Sequence, residues 1–229
     1  EARCNETLAI VTQLNAQSDI AQTYNTLGII FYHKGLYERA LAAFDQALQM
    51  NQRLGSTYQE ANTLMHLAMN LVALERLNDA RSTIDAALER AEHLHSQGLR
   101  VESLNVLAEI ELAMGRHDLA YRWASEAVEL GQQIGSKRHM AIAQRLLGQS
   151  AIARAQAFER FFAASIEVLK TIHDRFELGR TWVAYGSALV ESGDAKRGRA
   201  YLKQAKDTFI QIGAHGELQR LSQIVERST

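Results

Sequence analysis

The sequence contains no proline and only one cysteine, Cys4, among its 229 residues. Proline is common in turns and at sheet edges, so its absence argues against an all-β or loop-rich fold and favours helices joined by short turns. A single cysteine excludes an intramolecular disulfide bond and indicates a reducing compartment, so the cytoplasm is the expected location. No apolar run approaches the roughly 20 residues that a membrane-spanning helix needs, and we expect no membrane partner.

The chain also lacks an excess of charge of either sign. Its 25 basic and 26 acidic residues leave a formal net charge of −1. Proteins that bind nucleic acid through a basic surface are usually far more positive, so direct nucleic-acid binding is not expected. Aromatic residues are few, at 7 %, but hydrophobic residues make up 47 % and predict a chain that folds around a core.

An apolar residue followed by a turn-forming one recurs at steps of 40, 40, 40, 38 and 40 residues. These markers are Leu14, Leu54, Leu94, Ile134, Ile172 and Ile212. Further columns of small or apolar residues keep the same register, among them Ala47, Ala87 and Ala127. Several columns in one register indicate an internal repeat.

Within each repeat the apolar residues have helical spacing. In the first full repeat, Gly28 and Phe31 lie on one stripe of a first helix, and Ala40 and Phe44 lie on one stripe of a second. Gly35 stands between them, where glycine favours the end of a helix. Each repeat is therefore predicted to be a helical hairpin.

This pattern resembles the tetratricopeptide repeat. The residues that match its signature in order and spacing are Leu27, Gly28, Phe31, Gly35, Tyr37, Ala40, Phe44 and Ala47. The usual period of that family is 34 residues. The 40-residue form is similar to the repeats of kinesin light chain, of Leu-Gly-Asn-repeat scaffold proteins and of the helical sensor arms of bacterial regulatory ATPases. The resemblance implies an all-α, right-handed superhelical solenoid with about five full repeats, a partial N-terminal repeat and a C-terminal capping helix.

We expect one solenoid domain over residues 1–229. Residues 1–20 correspond to the second helix of a preceding repeat, and residues 214–229 to the capping helix. The full repeats are predicted at 21–60, 61–100, 101–140, 141–178 and 179–213. The fourth repeat is shorter and lacks glycine in its turn at 154–157, which predicts an irregular hairpin. Because the sequence begins inside a repeat, we expect it to be the C-terminal part of a longer protein.

In the tetratricopeptide fold the first helix of each repeat lines the concave wall, so the resemblance implies a ligand-binding groove there. The side chains that the helical phase places on this wall are Gln22, Asn25, Tyr32, Asn62, Met65, Met69, Glu102, Asn105, Glu109, Arg145, Gln149 and Arg180. Amides can hydrogen-bond a peptide backbone of any sequence, and methionine adapts to apolar side chains. Packing between neighbouring hairpins is the alternative for apolar members such as Met65.

No combination of residues predicts catalysis or a metal site. The eight histidines lack the spacing of a ligand set, and the glycines of segment 193–199 fit the repeat better than a phosphate loop. The predicted function is a non-catalytic module that binds a protein or peptide segment without a cofactor, as the regulatory or sensor arm of a larger signalling or transcription-regulating protein. The alternatives are a small-molecule effector domain and a scaffold that self-assembles through the open N-terminal hairpin around Cys4, Leu8 and Ile10.

Five basic residues cluster on the last predicted hairpin. They are Lys196, Arg197, Arg199, Lys203 and Lys206. A solvated surface is the ordinary interpretation of such a cluster, and a docking site for an acidic segment is the sharper hypothesis.

Overall fold

The computed structural model describes residues 1–14, 16–154 and 157–227. Within these ranges the chain is all-α, with twelve helices and no strand. The helices are α1 (Ala2–Gln13), α2 (Gln17–His33), α3 (Tyr37–Arg53), α4 (Thr57–Ala73), α5 (Leu77–His93), α6 (Gln97–Ala113), α7 (His117–Gln133), α8 (Lys137–Ala153), α9 (Glu159–Thr171), α10 (Arg175–Glu191), α11 (Ala195–Ile212) and α12 (His215–Arg227). The predicted fold class of consecutive helical repeats is confirmed.

The chain forms two compact units, Glu1–Val106 and Leu107–Thr229, and the boundary between them falls inside α6. In the first unit α2 packs on α3, α3 on α4, and α4 on α5. In the second unit α8 packs on α7 and α9, and α10 packs on α9 and α11. In each of these pairs, helices that follow one another in sequence are neighbours in space, as repeated hairpins require.

A residue with left-handed backbone ends the first helix of several hairpins. Glycine holds this position at Gly35, with a φ of 75°, and at Gly115, with a φ of 72°. Glu75 adopts the same conformation with a φ of 59°, although its Cβ makes it less favourable there. The N–H of Leu36 then donates to the carbonyl of Phe31 at 2.9 Å, which closes the end of α2.

Small residues allow the two helices of a hairpin to approach closely. Ala47, Ala87 and Ala127, which form one column of the repeat, have no exposed surface. A Cβ added to Gly28 would lie 2.5 Å from the ring of Phe44, so the aromatic ring occupies the space that a side chain would need. The core of each hairpin therefore depends on these small residues.

The hairpin of α8 and α9 differs from the others in length. Helix α9 has 13 residues, whereas α8 has 17. The irregular turn that the sequence predicts includes residues 155 and 156, which lie outside the described residues. The close contact is nevertheless repeated, because a Cβ on Gly148 would lie 2.9 Å from the ring of Phe162.

Candidate functional site

Two of the predicted groove amides lie on adjacent helices of the first unit. Asn25 is on α2 and Asn62 on α4, and these helices contact each other. Both side chains are half-buried, and the Oδ1 atom of each has no hydrogen-bond partner in the described part of the chain. Leaving such an oxygen buried without a donor costs about 1–3 kcal/mol. Each amide therefore holds an acceptor that the folded chain does not use.

The other predicted site residues of this unit differ in burial. Tyr32, Met65 and Asn105 are buried, with exposed fractions of 7 %, 3 % and 4 %. The ring of Tyr32 lies against His33 and Tyr37, at centroid distances of 5.6 and 5.8 Å. These three buried residues contribute packing rather than surface. Three other predicted site residues remain accessible to solvent: Gln22 is exposed, and Met69 and Glu102 are half-buried.

The second unit brings together four predicted site residues from three helices. Glu109 lies on α6, Arg145 and Gln149 on α8, and Arg180 on α10. Arg180 donates to Oε1 of Glu109, and Nη2 of Arg145 lies 4.0 Å from Oε2 of Glu109. Arg145 also donates to Oε1 of Gln149 at 3.5 Å. In this unit the predicted stripe is a continuous set of polar contacts.

Two acidic residues that the sequence analysis missed complete this set. Nη2 of Arg145 donates to Glu177 at 3.3 Å, and Nε of Arg180 lies 3.8 Å from Glu217. Glu177 precedes Arg180 by three residues on α10, a spacing that signals a helical ion pair. Glu217 comes from α12, and no local spacing connects it to α10. We call Glu109, Arg145, Glu177, Arg180 and Glu217 the arginine–glutamate network.

Two less buried arginines lie at the edge of the network. Arg138 is 3.6 Å from Glu177, and Arg220 is 3.2 Å from Glu217. By contrast, the side chains of Arg145 and Glu177 are each only 4 % exposed. Buried charges are tolerated when they are paired and hydrogen-bonded. The charges of the network are paired within the chain and leave little excess charge for a ligand, although Nε of Arg145 has no hydrogen-bond partner in the described residues.

The pKa of Glu109 reflects the pairing of its carboxylate with neighbouring arginines. Burial raises the pKa of Glu109, but the charges of Arg180, Arg145 and Arg220, with the hydrogen bond from Arg180, outweigh burial and lower the pKa below its usual value. For Arg145, burial and then the neighbouring charge of Arg180 lower the pKa. Glu109 is therefore ionised at neutral pH and forms part of a charged structure.

No group of three or more histidine, cysteine, aspartate or glutamate side chains in the described ranges could hold a metal ion. None of the helices in those ranges combines the length and the apolar character needed to cross a membrane. The chemistry that the site residues offer is hydrogen bonding, apolar contact and charge pairing.

Repeated hairpins whose first helices carry polar stripes define a helical-repeat protein. Residues 19–93, about a third of the chain, match the sequence profile of the tetratricopeptide repeat family. The resemblance seen in the sequence is thereby confirmed. No curated protein matches the chain significantly.

Solved structures share this fold at low sequence identity. BtubC (BKLC) from P. vanneervenii is 17 % identical with a TM-score of 0.65, over 93 % of this chain and 90 % of that one. The Rap conjugation gene regulator of plasmid pLS20, solved with the Phr* peptide, is 14 % identical with a TM-score of 0.71, over 92 % and 63 %. The STAND protein with a tetratricopeptide repeat sensor from Pyrococcus horikoshii is 14 % identical with a TM-score of 0.62, over 98 % and 35 %. Kinesin light chain-like repeats are also among the similar folds, as the sequence predicts.

Proposed function

We propose that the chain is a binding module for a protein or peptide segment. Its site in the first unit is the amide stripe, which we define as Gln22, Asn25, Asn62 and Met69 on α2 and α4. The observation that carries this proposal is the pair of amide oxygens, on Asn25 and Asn62, that have no hydrogen-bond partner in the described residues.

A bound segment would use these amides through its backbone. An extended peptide carries N–H and C=O groups that must find partners when they leave water. Rotation of an asparagine side chain toward the segment gives its Oδ1 an N–H donor and removes the cost of the unmade hydrogen bond. The amide NH₂ group can donate to a peptide carbonyl at the same time. Met69 adds a flexible apolar contact for a side chain of the segment.

The structural likenesses support this function and a regulatory role. The Rap regulator of plasmid pLS20 was solved in complex with a peptide, and the STAND protein carries its tetratricopeptide repeats as a sensor. By analogy, the chain serves as the regulatory or sensor arm of a larger signalling or transcription-regulating protein. The cytoplasm is its proposed location because a single cysteine forms no internal disulfide bond and is typical of a reducing compartment.

Peptides selected on the full chain from a random display library test this proposal. Labelled selected peptides are titrated by fluorescence polarisation against the wild type and against Asn25→Ala and Asn62→Ala. We expect each variant to bind about tenfold more weakly, because one ligand hydrogen bond is worth roughly that factor. Gln46→Ala removes an exposed amide from α3 and is the matched control, with wild-type affinity expected.

The result that would contradict the amide stripe is equal affinity for the wild type and both asparagine variants. The melting temperature of each variant is measured alongside, so that a loss of binding is not confused with a loss of fold. A library that yields no binder to the wild-type chain contradicts the broader proposal of peptide binding.

Self-assembly through α1 is a second candidate function. Ile10 and Leu14 are 55 % and 72 % exposed, and the neighbouring Cys4 and Leu8 are half-buried. Exposed apolar side chains grouped on one helix are typical of contact with another chain. Light scattering should then show a dimer that Ile10→Ser converts to a monomer. A monomeric wild type at high protein concentration excludes this candidate.

A further inference from the structure

The second unit contains a groove of about 550 Å³ that lies between α11, α12 and the end of α10. Its apolar floor is formed by Val190, Leu202, Leu218, Leu221 and Val225. Leu221 is buried, whereas Val225 is 43 % exposed. We call this feature the α11–α12 groove. None of its residues belongs to the amide stripe or to the arginine–glutamate network.

One side of the groove carries three basic side chains. Arg199, Lys203 and Lys206 line it from α11, and all three are exposed. Their spacing of four and three residues places them on one helix face, where like charges repel each other. No acidic side chain in the described residues pairs with any of the three. The α12 side contributes one acidic residue, Glu226, so the groove has a net positive charge.

The five-residue basic cluster that the sequence predicts is divided by the structure. Arg197 donates to Glu159 at 3.0 Å and to Asp194 at 3.1 Å, so its charge is used within the chain. Lys196 is exposed but does not line the groove. The three remaining cations are the ones that border an apolar surface.

The arrangement of these cations indicates the shape of the ligand. Arg199 and Lys206 are seven residues apart, so the charges extend over about 10 Å of α11. A single carboxylate can bridge two neighbouring cations but not all three over this length. A helix with acidic residues at the same spacing would meet all three and could place an apolar stripe on the groove floor. We propose that the α11–α12 groove binds an acidic amphipathic helix of a partner protein.

Designed peptides provide the test with the full chain. The probes are labelled helices of about 16 residues, long enough to form a helix on binding, with Glu at positions i, i+4 and i+7 and with Leu, Ile or Phe on the adjacent stripe. Fluorescence polarisation should show saturable binding that weakens as salt increases. The same peptides with Lys in place of Glu should bind at least about tenfold more weakly, because like charges then face each other.

Variants of the protein locate the binding to the groove. Lys203→Glu combined with Lys206→Glu should weaken binding of the acidic peptides by about tenfold or more. Val225→Asp, at a half-exposed floor position that tolerates a polar residue in the free protein, should weaken it similarly. Lys196→Glu reverses one charge on α11 outside the groove, half the change made by the double variant, and should stay within about twofold of the wild type. Circular dichroism verifies that each variant is folded.

Several results would overturn this proposal. They are the absence of saturable binding by every acidic peptide, an equal loss with Lys196→Glu, and equal affinity for the basic peptides. Displacement of the peptide by a medium-chain fatty acid at matching concentration would identify a single-carboxylate ligand instead. A homodimer that Lys203→Glu and Lys206→Glu dissociate would identify a second copy as the occupant. Asn62→Ala should bind these peptides normally, which separates this test from that of the amide stripe.

Discussion

The two compact units share a hairpin core but differ in the side chains on the corresponding face of their first helices. Met65 in the first unit corresponds to Arg145, two repeats later, in the second unit. Asn62 in the first unit corresponds to Arg180 in the second unit. Met65 is buried and carries no charge, and the amide oxygen of Asn62 has no partner in the described residues. The two arginines are instead paired with carboxylates. One scaffold thus supports an uncharged stripe with unused acceptors and a network whose charges are paired within the chain.

This difference shows which positions the repeat constrains. A Cβ on Gly28 would lie 2.5 Å from Phe44, and one on Gly148 would lie 2.9 Å from Phe162. The same glycine–aromatic contact therefore occurs in both units, because the close approach of the two helices requires it. The stripe positions are under no such requirement, so they can vary while the fold is kept. Different side chains at the stripe positions allow the same repeat to accommodate different ligands.

The largest effect is expected at a position that both units share. Ala87→Glu buries a charge with no partner at a residue that has no exposed surface. We expect the free energy of unfolding to fall by about 4 kcal/mol, measured by urea denaturation. Ser82→Glu places the same charge at an exposed position of α5 and should change stability little. A wild-type melting temperature for Ala87→Glu would mean that the repeat register is wrong.

The next effect should occur in the second unit alone. Arg145→Met installs the residue that the first unit has at the corresponding position, and it leaves Glu177 and Glu109 without one of their arginines. Loss of one partner of a buried ion pair should lower the free energy of unfolding by about 3 kcal/mol. Hydrogen exchange should increase in α8 and α10. Adding Glu177→Gln should restore part of the loss, because it removes a buried carboxylate that has lost its nearest arginine and keeps only the longer contacts to Arg138 and Arg180.

Met65→Leu is the control for Arg145→Met, because Met65 is the corresponding residue of the first unit. It changes the shape of a buried side chain but no charge, so it should cost less than about 1.5 kcal/mol. If Arg145→Met is no more destabilising than Met65→Leu, the network contributes no more to stability than ordinary packing, and the contrast between the units fails.

A smaller effect on the free energy of unfolding is expected when the pH is lowered. Because the pKa of Glu109 is lowered in the folded chain, its stabilising contribution is present above the unfolded value of about 4.3 and is lost as the pH falls through the folded value. Glu109→Gln should be less stable than the wild type by about 2 kcal/mol at pH 7, where a charged hydrogen bond is lost. Denaturation curves from pH 7 to pH 3 should show the two proteins converging. A constant difference across this range would contradict the assigned role of Glu109.

The sequence predicts the hairpins well because their signals are local or periodic. Alanine columns such as Ala47 and Ala87, and turn residues such as Gly35, report on contacts within one repeat. The site is predicted less completely. Glu217 reaches Arg180 from a separate helix, and the burial of Asn105 depends on how whole helices pack; neither leaves a pattern in the local sequence. The α11–α12 groove likewise depends on the angle between two helices, which residue spacing does not specify.

The smallest change in stability should come from the amide stripe. Asn62→Ala removes a half-buried amide whose oxygen has no partner in the described residues, so little hydrogen bonding is lost. Alanine also removes the cost of the unpaired oxygen and favours a helix over asparagine by roughly 0.5 kcal/mol, and these gains offset the loss of contact area and of the NH₂ group's interactions. The free energy of unfolding should therefore stay within about 0.5 kcal/mol of the wild type, while the affinity for selected peptides falls. A large loss of stability would show that Asn62 supports the fold. Both stripes would then stabilise the chain, by different interactions, and the first would no longer stand out as a surface kept for a ligand.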